Sequence, residues 1–188
     1  QYYFEENNFT ADWVNQIDYN GHPMWVPFGS SLTAMKNGNV FWRKNTVNFK
    51  GKVWNPLTIK RDAKTIKQLA FKFLNTAYLW GGKSVFGIDC SGYTQSVYKF
   101  LNIHLLRDAQ QQATQGELVG FLQQARCGDL AFFDDDEGRI IHVGILLNPD
   151  EIIHAAGKVR VDKIDSQGIV NADTGQRTQR LRIIKRYF

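Results

Sequence analysis

Apolar residues follow two different rhythms along the chain, and the change comes near residue 60. Up to Lys60, short β-type runs alternate with the turn signals "YNGHP", "PFGSS", "KNGNV" and "FKGKVWNP", and no helical periodicity is present. Trp25 and Val26 stand between two prolines in "HPMWVPFGSSLTAM", which suits short strands of a small barrel. After Pro56 the rhythm becomes helical: Ala63, Ile66, Leu69, Ala70, Phe73, Leu74 and Ala77 fall on one face, with Asp62 as the expected N-cap. Gly81 and Gly82 break that run. Tyr93, Val97, Phe100 and Leu101 then repeat at helical spacing, which puts Cys90 in the first turn of a second helix, and a third is predicted over 109–122. The strand-like runs "DLAFF", "IIHVGILL", "EIIHAA" and "RLRIIKRYF" follow. Helices first and antiparallel strands afterwards predict an α+β domain over 61–188 behind an all-β unit over 1–60.

Composition sets limits rather than a function. The 188 residues suffice for a small unit and a medium one, and 43% hydrophobic with 22% charged residues is ordinary for a globular protein. Thirteen Phe, seven Tyr and five Trp suit compact β modules and carbohydrate- or peptide-binding clefts. The formal charge of +5 is modest, and the basic residues at 44–67 and 177–186 lack the basic–aromatic repeats of a single-strand binder, so nucleic acid is not an expected partner. No stretch approaches the roughly 20 apolar residues of a membrane span. The chain starts with Gln1 rather than Met, as a processed or an excised product would, so a leader could already be gone and the compartment is not read directly.

Cys90 and Cys127 are too few for a disulfide framework, and nothing in the sequence argues for a bridge between them. Packing, redox chemistry, metal binding and nucleophilic catalysis are the four uses open to a thiol placed like Cys90. A redox motif would want a second Cys two or three residues away, and metal ligation would want a pattern such as CxxC or HExxH; neither occurs. A thiol in the first turn of a helix sits in the positive end of the helix dipole, a position expected to lower its pKa. It then needs a base and an orienter for that base. His142 in "RIIHVGILL" and His154 in "EIIHAAGK" lie in β-type runs joined by the "NPDE" turn, a spacing that suits adjacent antiparallel strands. Taken singly, each is more often a packed or surface residue; the joint arrangement is what favours catalysis.

Together, "YLWGGKSVFGIDCSGYTQSVYKFL", "GDLAFFDDDEGRIIHVGILL" and "IIHAAGK" resemble the NlpC-type cysteine peptidases of bacterial cell walls. The likeness runs from about Arg61 to Phe188, and residues 1–60 resemble the bacterial SH3-like module that often precedes that domain. It implies an α+β fold with a papain-like core, helices packed on an antiparallel sheet, preceded by the small all-β SH3-like barrel. It further implies that Cys90 is the nucleophile, His142 the base, His154 its orienter and Tyr78 a support for the oxyanion. Asp89 and Ser91 would bind the substrate's free amino terminus, and Arg107 a substrate carboxylate.

The activity so implied is hydrolysis of the γ-D-glutamyl bond to diaminopimelate or lysine in peptidoglycan stem peptides, as a dipeptidyl-peptidase on peptides with a free L-Ala. The protein would act as a monomer on muropeptides, without cofactor or metal, in the cell envelope or outside the cell, or in cytoplasmic recycling. Two alternatives stay open: a CHAP-like wall amidase or endopeptidase acting on intact peptidoglycan, and a non-catalytic wall-binding protein. Cys127 departs from the proline common before Gly-Asp-Leu and reads as structural. Asp129 reads as a turn residue, and His22 and His104 as surface residues.

Overall fold

The computed structural model describes residues 8–33 and 35–188; residues 1–7 and Ala34 of the expected first unit lie outside the described residues. The chain divides into two compact units, with the boundary between Ile59 and Lys60.

The first unit is all-β among its described residues, in keeping with an SH3-like module. Its strands are β1 (Phe9–Thr10), β2 (Val14–Tyr19), β3 (His22–Pro27), β4 (Asn39–Trp42), β5 (Asn45–Asn48) and β6 (Val53–Trp54). They form a four-stranded sheet in the order β3-β2-β5-β4 and a β1-β6 pair. The turn signals act as turns: Asn20 and Gly21, at φ 53° and 82°, join β2 to β3 with both central residues left-handed, as a tight hairpin requires. Ile17, Leu32 and Phe49 form the core of this unit.

The second unit opens with α1 (Ala63–Phe71), capped by Asp62, whose carboxylate accepts the Thr65 N–H at 2.9 Å. The predicted helical face ran on to Ala77, but the helix stops at Phe71. The backbone beyond it binds a distant strand instead: the Asn75 N–H donates to the Val159 carbonyl, the Val159 N–H donates to Thr76, and the Tyr78 N–H donates to Gly157. Asn75 takes a left-handed conformation to make that exit. A short hairpin, β7 (Lys83–Ser84) and β8 (Gly87–Ile88), leads into α2 (Cys90–Lys99). The predicted third helix over 109–122 is only α3 (Ala109–Gln112); Gly116, at φ 71°, turns the chain into β9 (Glu117–Val119). Among the described residues, no helix is long and apolar enough to cross a membrane.

Six strands follow: β10 (Leu130–Asp134), β11 (Ile140–Asn148), β12 (Glu151–Ala156), β13 (Lys158–Asp165), β14 (Gly168–Val170) and β15 (Arg177–Arg186). Each is antiparallel to the next, and β15 pairs back with β10, so the expected antiparallel sheet closes into a barrel with β9 added outside β15. Ala131, Phe133, Leu146, Ile152, Ile164, Ile169 and Ile184 cluster as its apolar interior. Against the sheet pack the helices, with Ile66, Leu69, Tyr93 and Val97 fully buried. This is the mixed helix-and-antiparallel-sheet architecture expected of the second unit.

Candidate active site

Cys90 is the first residue of α2, and its N-cap is Asp89. The Asp89 Oδ1 accepts the Gly92 N–H at 2.6 Å, and Oδ2 accepts the Gly81 N–H at 2.9 Å, which ties the helix start to the glycine-rich loop. Close approach there depends on missing side chains: a Cβ on Gly92 would lie 2.3 Å from the Gly82 carbonyl oxygen. Cys90 faces an open cleft of about 700 Å³, whose walls include Tyr78, Trp80, Asp89, Ser91, Arg107 and Ile141. Trp80 and Ile141, 86% and 52% exposed, give that cleft an apolar rim.

The histidines meet as the turn spacing predicted. Gly144 of β11 pairs directly with His154 of β12, and His142 lies two residues away on the same face. His142 Nε2 lies 2.8 Å from His154 Nδ1, with the rings nearly perpendicular. Gly144 makes room for this contact, because a Cβ there would sit 2.8 Å from the His154 Cβ. The Cys90 thiol meets the backbone N–H of Val143, the residue after His142.

Two charged residues behind the histidines were not singled out in the sequence. His154 Nε2 lies 2.9 Å from Asp162 Oδ2, and Arg160 holds the same carboxylate through Nε and Nη2, both at 2.8 Å. The Ala172 N–H completes its shell at 2.8 Å. Their signal was the alternation of "KVRVDKID", which put Arg160 and Asp162 on one face of a strand pairing with the His154 strand.

Electrostatics departs from expectation at the thiol. Burial pushes the Cys90 thiol up; the Val143 N–H opposes this, Asp89 adds to the rise, and the N–H groups of the helix start do not reverse it. The expected lowering by the helix position is therefore overcome. Burial likewise holds His142 well below the usual histidine range, with His154 adding to the effect. The resting pair is thus a neutral thiol and a neutral imidazole. Burial, together with Cys90 and Asp89, raises Tyr78, which keeps its phenol a hydrogen-bond donor.

Asp89, Ser91 and Arg107, expected to contact substrate, contact one another. Arg107 Nη2 lies 2.5 Å from Asp89 Oδ2, and Nη1 lies 3.2 Å from Oδ1 and 2.9 Å from the Ser91 hydroxyl. Burial alone would raise the Asp89 pKa, but the Arg107 hydrogen bond and the Gly92 N–H hold it lowered. Gln112, also missed in the sequence, steadies this corner by donating to the carbonyls of Ser91 and Leu106. Away from the cleft, Cys127 is a free thiol set 3.7 Å from the Ala63 carbonyl, and Cys90 is also free. Asp129 accepts the Arg126 N–H in the turn before β10 and pairs with Arg186. His22 and His104 are exposed. Among the described residues, no three His, Cys, Asp or Glu side chains gather as a metal-holding group.

With known proteins the likeness is specific. The sequence model of the NlpC/P60 family matches residues 75–178, a span that holds Tyr78, Cys90, Arg107, His142, His154 and Asp162. A gamma-D-glutamyl-L-lysine dipeptidyl-peptidase of Bacillus subtilis (strain 168) is 41% identical over 98 residues, covering 51% of this chain and 33% of that one. A probable endopeptidase p60 of Listeria monocytogenes serovar 1/2a is 39% identical over 100 residues, covering 53% of this chain and 20% of that one. The chain thus spans a third or less of the length of these curated relatives. The crystal structure of an NlpC/P60 family protein from Bacillus cereus ATCC 10987 is similar in fold, with a TM-score of 0.79 at 22% identity, covering 98% of this chain and 64% of that chain.

Proposed function

The chain belongs to the NlpC/P60 family, and from that premise we propose that it is a cysteine peptidase of peptidoglycan stem peptides, cutting the γ-D-glutamyl bond to diaminopimelate or lysine. The observation that carries the reading is one constellation: a thiol at the first residue of a helix, open to a cleft and seated against the strand of a hydrogen-bonded histidine pair. In the proposed reaction His142 takes the Cys90 proton as the sulfur attacks the amide carbonyl. The Cys90 backbone N–H and the Tyr78 hydroxyl would receive the oxyanion. Imidazolium His142 then gives its proton to the leaving amine, and a thioester remains on Cys90. Water, deprotonated by the same imidazole, releases the acid and restores the thiol.

Substrate selection rests on the pair Asp89 and Arg107. A peptide beginning with free L-Ala and carrying the D-Glu α-carboxylate is a zwitterion, and it could exchange partners with this ion pair, ammonium to Asp89 and carboxylate to Arg107. That exchange supports a dipeptidyl-peptidase. The same observation also favours a second reading: an Asp89 already neutralised by Arg107 has little pull on an ammonium, which suits an endopeptidase working on blocked or intact peptides.

Mass spectrometry of products from L-Ala-γ-D-Glu-diaminopimelate, its lysine counterpart and their N-acetylated forms tests the proposal. Release of the dipeptide L-Ala-D-Glu is the expected result. No cleavage, or cleavage at another bond, overturns the assignment. Equal cleavage of free and blocked peptides replaces the dipeptidyl-peptidase with the endopeptidase.

A further inference from the structure

Asp162 stands in a costly place. By register it shares the barrel-interior face with Ile152, directly opposite it, and with Ile164, both members of the apolar cluster, and it is 2% exposed. A carboxylate taken out of water there loses its hydration, a cost that only hydrogen bonds to its lone pairs offset. An aliphatic side chain would fill the site more cheaply. The chain instead supplies four donors: His154 Nε2, Arg160 Nε and Nη2, and the Ala172 N–H. Arg160 is in its turn held by Asp173 and Asn171. Burial acts to raise the Asp162 pKa, but the His154 and Arg160 hydrogen bonds and the Ala172 N–H outweigh it and keep the carboxyl ionised.

An ionised carboxylate only accepts hydrogen bonds, and this decides the protons of both rings in sequence. The contact at 2.9 Å requires a hydrogen on His154 Nε2. A neutral His154 then has a bare Nδ1, which can only accept. Its partner at 2.8 Å, His142 Nε2, must therefore carry the hydrogen between the rings. A neutral His142 with Nε2–H has its lone pair on Nδ1, the nitrogen not consumed by the pair. Reversing the first link would reverse them all, and the base would face the thiol with an N–H in place of a lone pair.

We propose that Asp162 is a positioning residue of this site, which acts through His154 to hold His142 in the tautomer whose Nδ1 is free to accept the Cys90 proton. This rests on the reading of Cys90 and His142 as nucleophile and base. A purely structural role, bracing the segment of Asn171 and Ala172 against β13, would leave the tautomers untouched, so the tautomers are the readout.

Nitrogen-15 NMR of the full chain with labelled histidine gives the protonation of each ring nitrogen directly, and exposed His22 and His104 provide internal references. At a pH where the rings are neutral, the expected spectrum has Nε2–H on both His142 and His154 and bare Nδ1 on both. An Nδ1–H form of either ring, or a doubly protonated His154, overturns the proposal without any variant. In Asp162→Asn, whose amide can also donate, the single tautomer set should be lost and kcat should fall about tenfold to a hundredfold with KM nearly unchanged. Wild-type tautomers and kcat in that variant would assign Asp162 to the fold alone. Should the wild type show the expected tautomers yet cleave no stem peptide, the peptidase reading fails while the proton order stands.

Discussion

Arg107 closes on Asp89 through two hydrogen bonds, at 2.5 and 3.2 Å, and so the two side chains assigned to opposite ends of a substrate neutralise each other. If a zwitterionic peptide trades places with this pair, N-acetylation of the substrate should lower kcat/KM at least about tenfold, the worth of one charge-assisted hydrogen bond. Asp89→Asn should narrow that gap, because it weakens the free-amine substrate more than the blocked one. Steady-state kinetics on the matched peptides checks this. An unchanged ratio in the variant would remove Asp89 from amine recognition and leave it as the cap of α2.

The two thiols should differ in reactivity through the base and not through their own acidity. Burial raises both, so neither is a ready thiolate. Iodoacetamide at neutral pH, followed by peptide mapping, should label Cys90 about tenfold faster than Cys127, and His142→Ala should remove that preference. Equal labelling in the wild type would count against a working Cys90–His142 pair.

Gly144 lies directly opposite His154, two residues along β11 from His142. Gly144→Ala would set a methyl group 2.7 Å from the Ile152 Cδ1 and 2.8 Å from the His154 Cβ, so the ring pair must shift. The expected result is a loss of kcat of about tenfold or more with modest destabilisation, on the order of 1–3 kcal/mol for an overpacked site. Kinetics beside a thermal melt distinguishes this from global unfolding; wild-type kcat would show that the histidine contact tolerates displacement.

The pH profile follows from the direction of two shifts. His142 lies well below the ordinary 6.5, so as pH falls through that value the ring stays unprotonated and remains a base. Cys90 lies above the ordinary 9.0, so it keeps its proton as pH rises through the usual thiol range. The neutral pair therefore persists between those limits, and kcat/KM on an N-acetylated peptide, which carries no amine titrating near pH 8, should be flat from about pH 6.5 to 8.5, with its acid limb below. An acid limb centred at or above 6.5 would contradict a buried, neutral His142.

What could be read in the sequence was whatever local chemistry dictates. Asp62 as a cap, Cys90 at a helix start, the Asn-Gly turns of the first unit and the histidine strands joined by "NPDE" all follow from neighbours along the chain, and the structure has them. Long-range pairings were hidden. The first helix ends early because Asn75 and Thr76 bond to Val159, more than eighty residues away. Asp162 was not singled out, because the pairing of β15 with β10 that makes its face an interior is not visible in the alternation of its own strand. The Asp89–Arg107 pair was likewise missed because each residue was read against a substrate and not against the other.

Turnover of L-Ala-γ-D-Glu-Lys by the wild type and by Cys90→Ser, measured side by side, tests the central claim most directly. Cys90 is the only side chain to which the account gives bond-making, and serine occupies the same space without a thiol that His142 can activate. The account predicts release of the dipeptide by the wild type and no detectable turnover by Cys90→Ser, with melting temperatures within about 2 °C of each other. Cleavage by Cys90→Ser at the wild-type rate would contradict it.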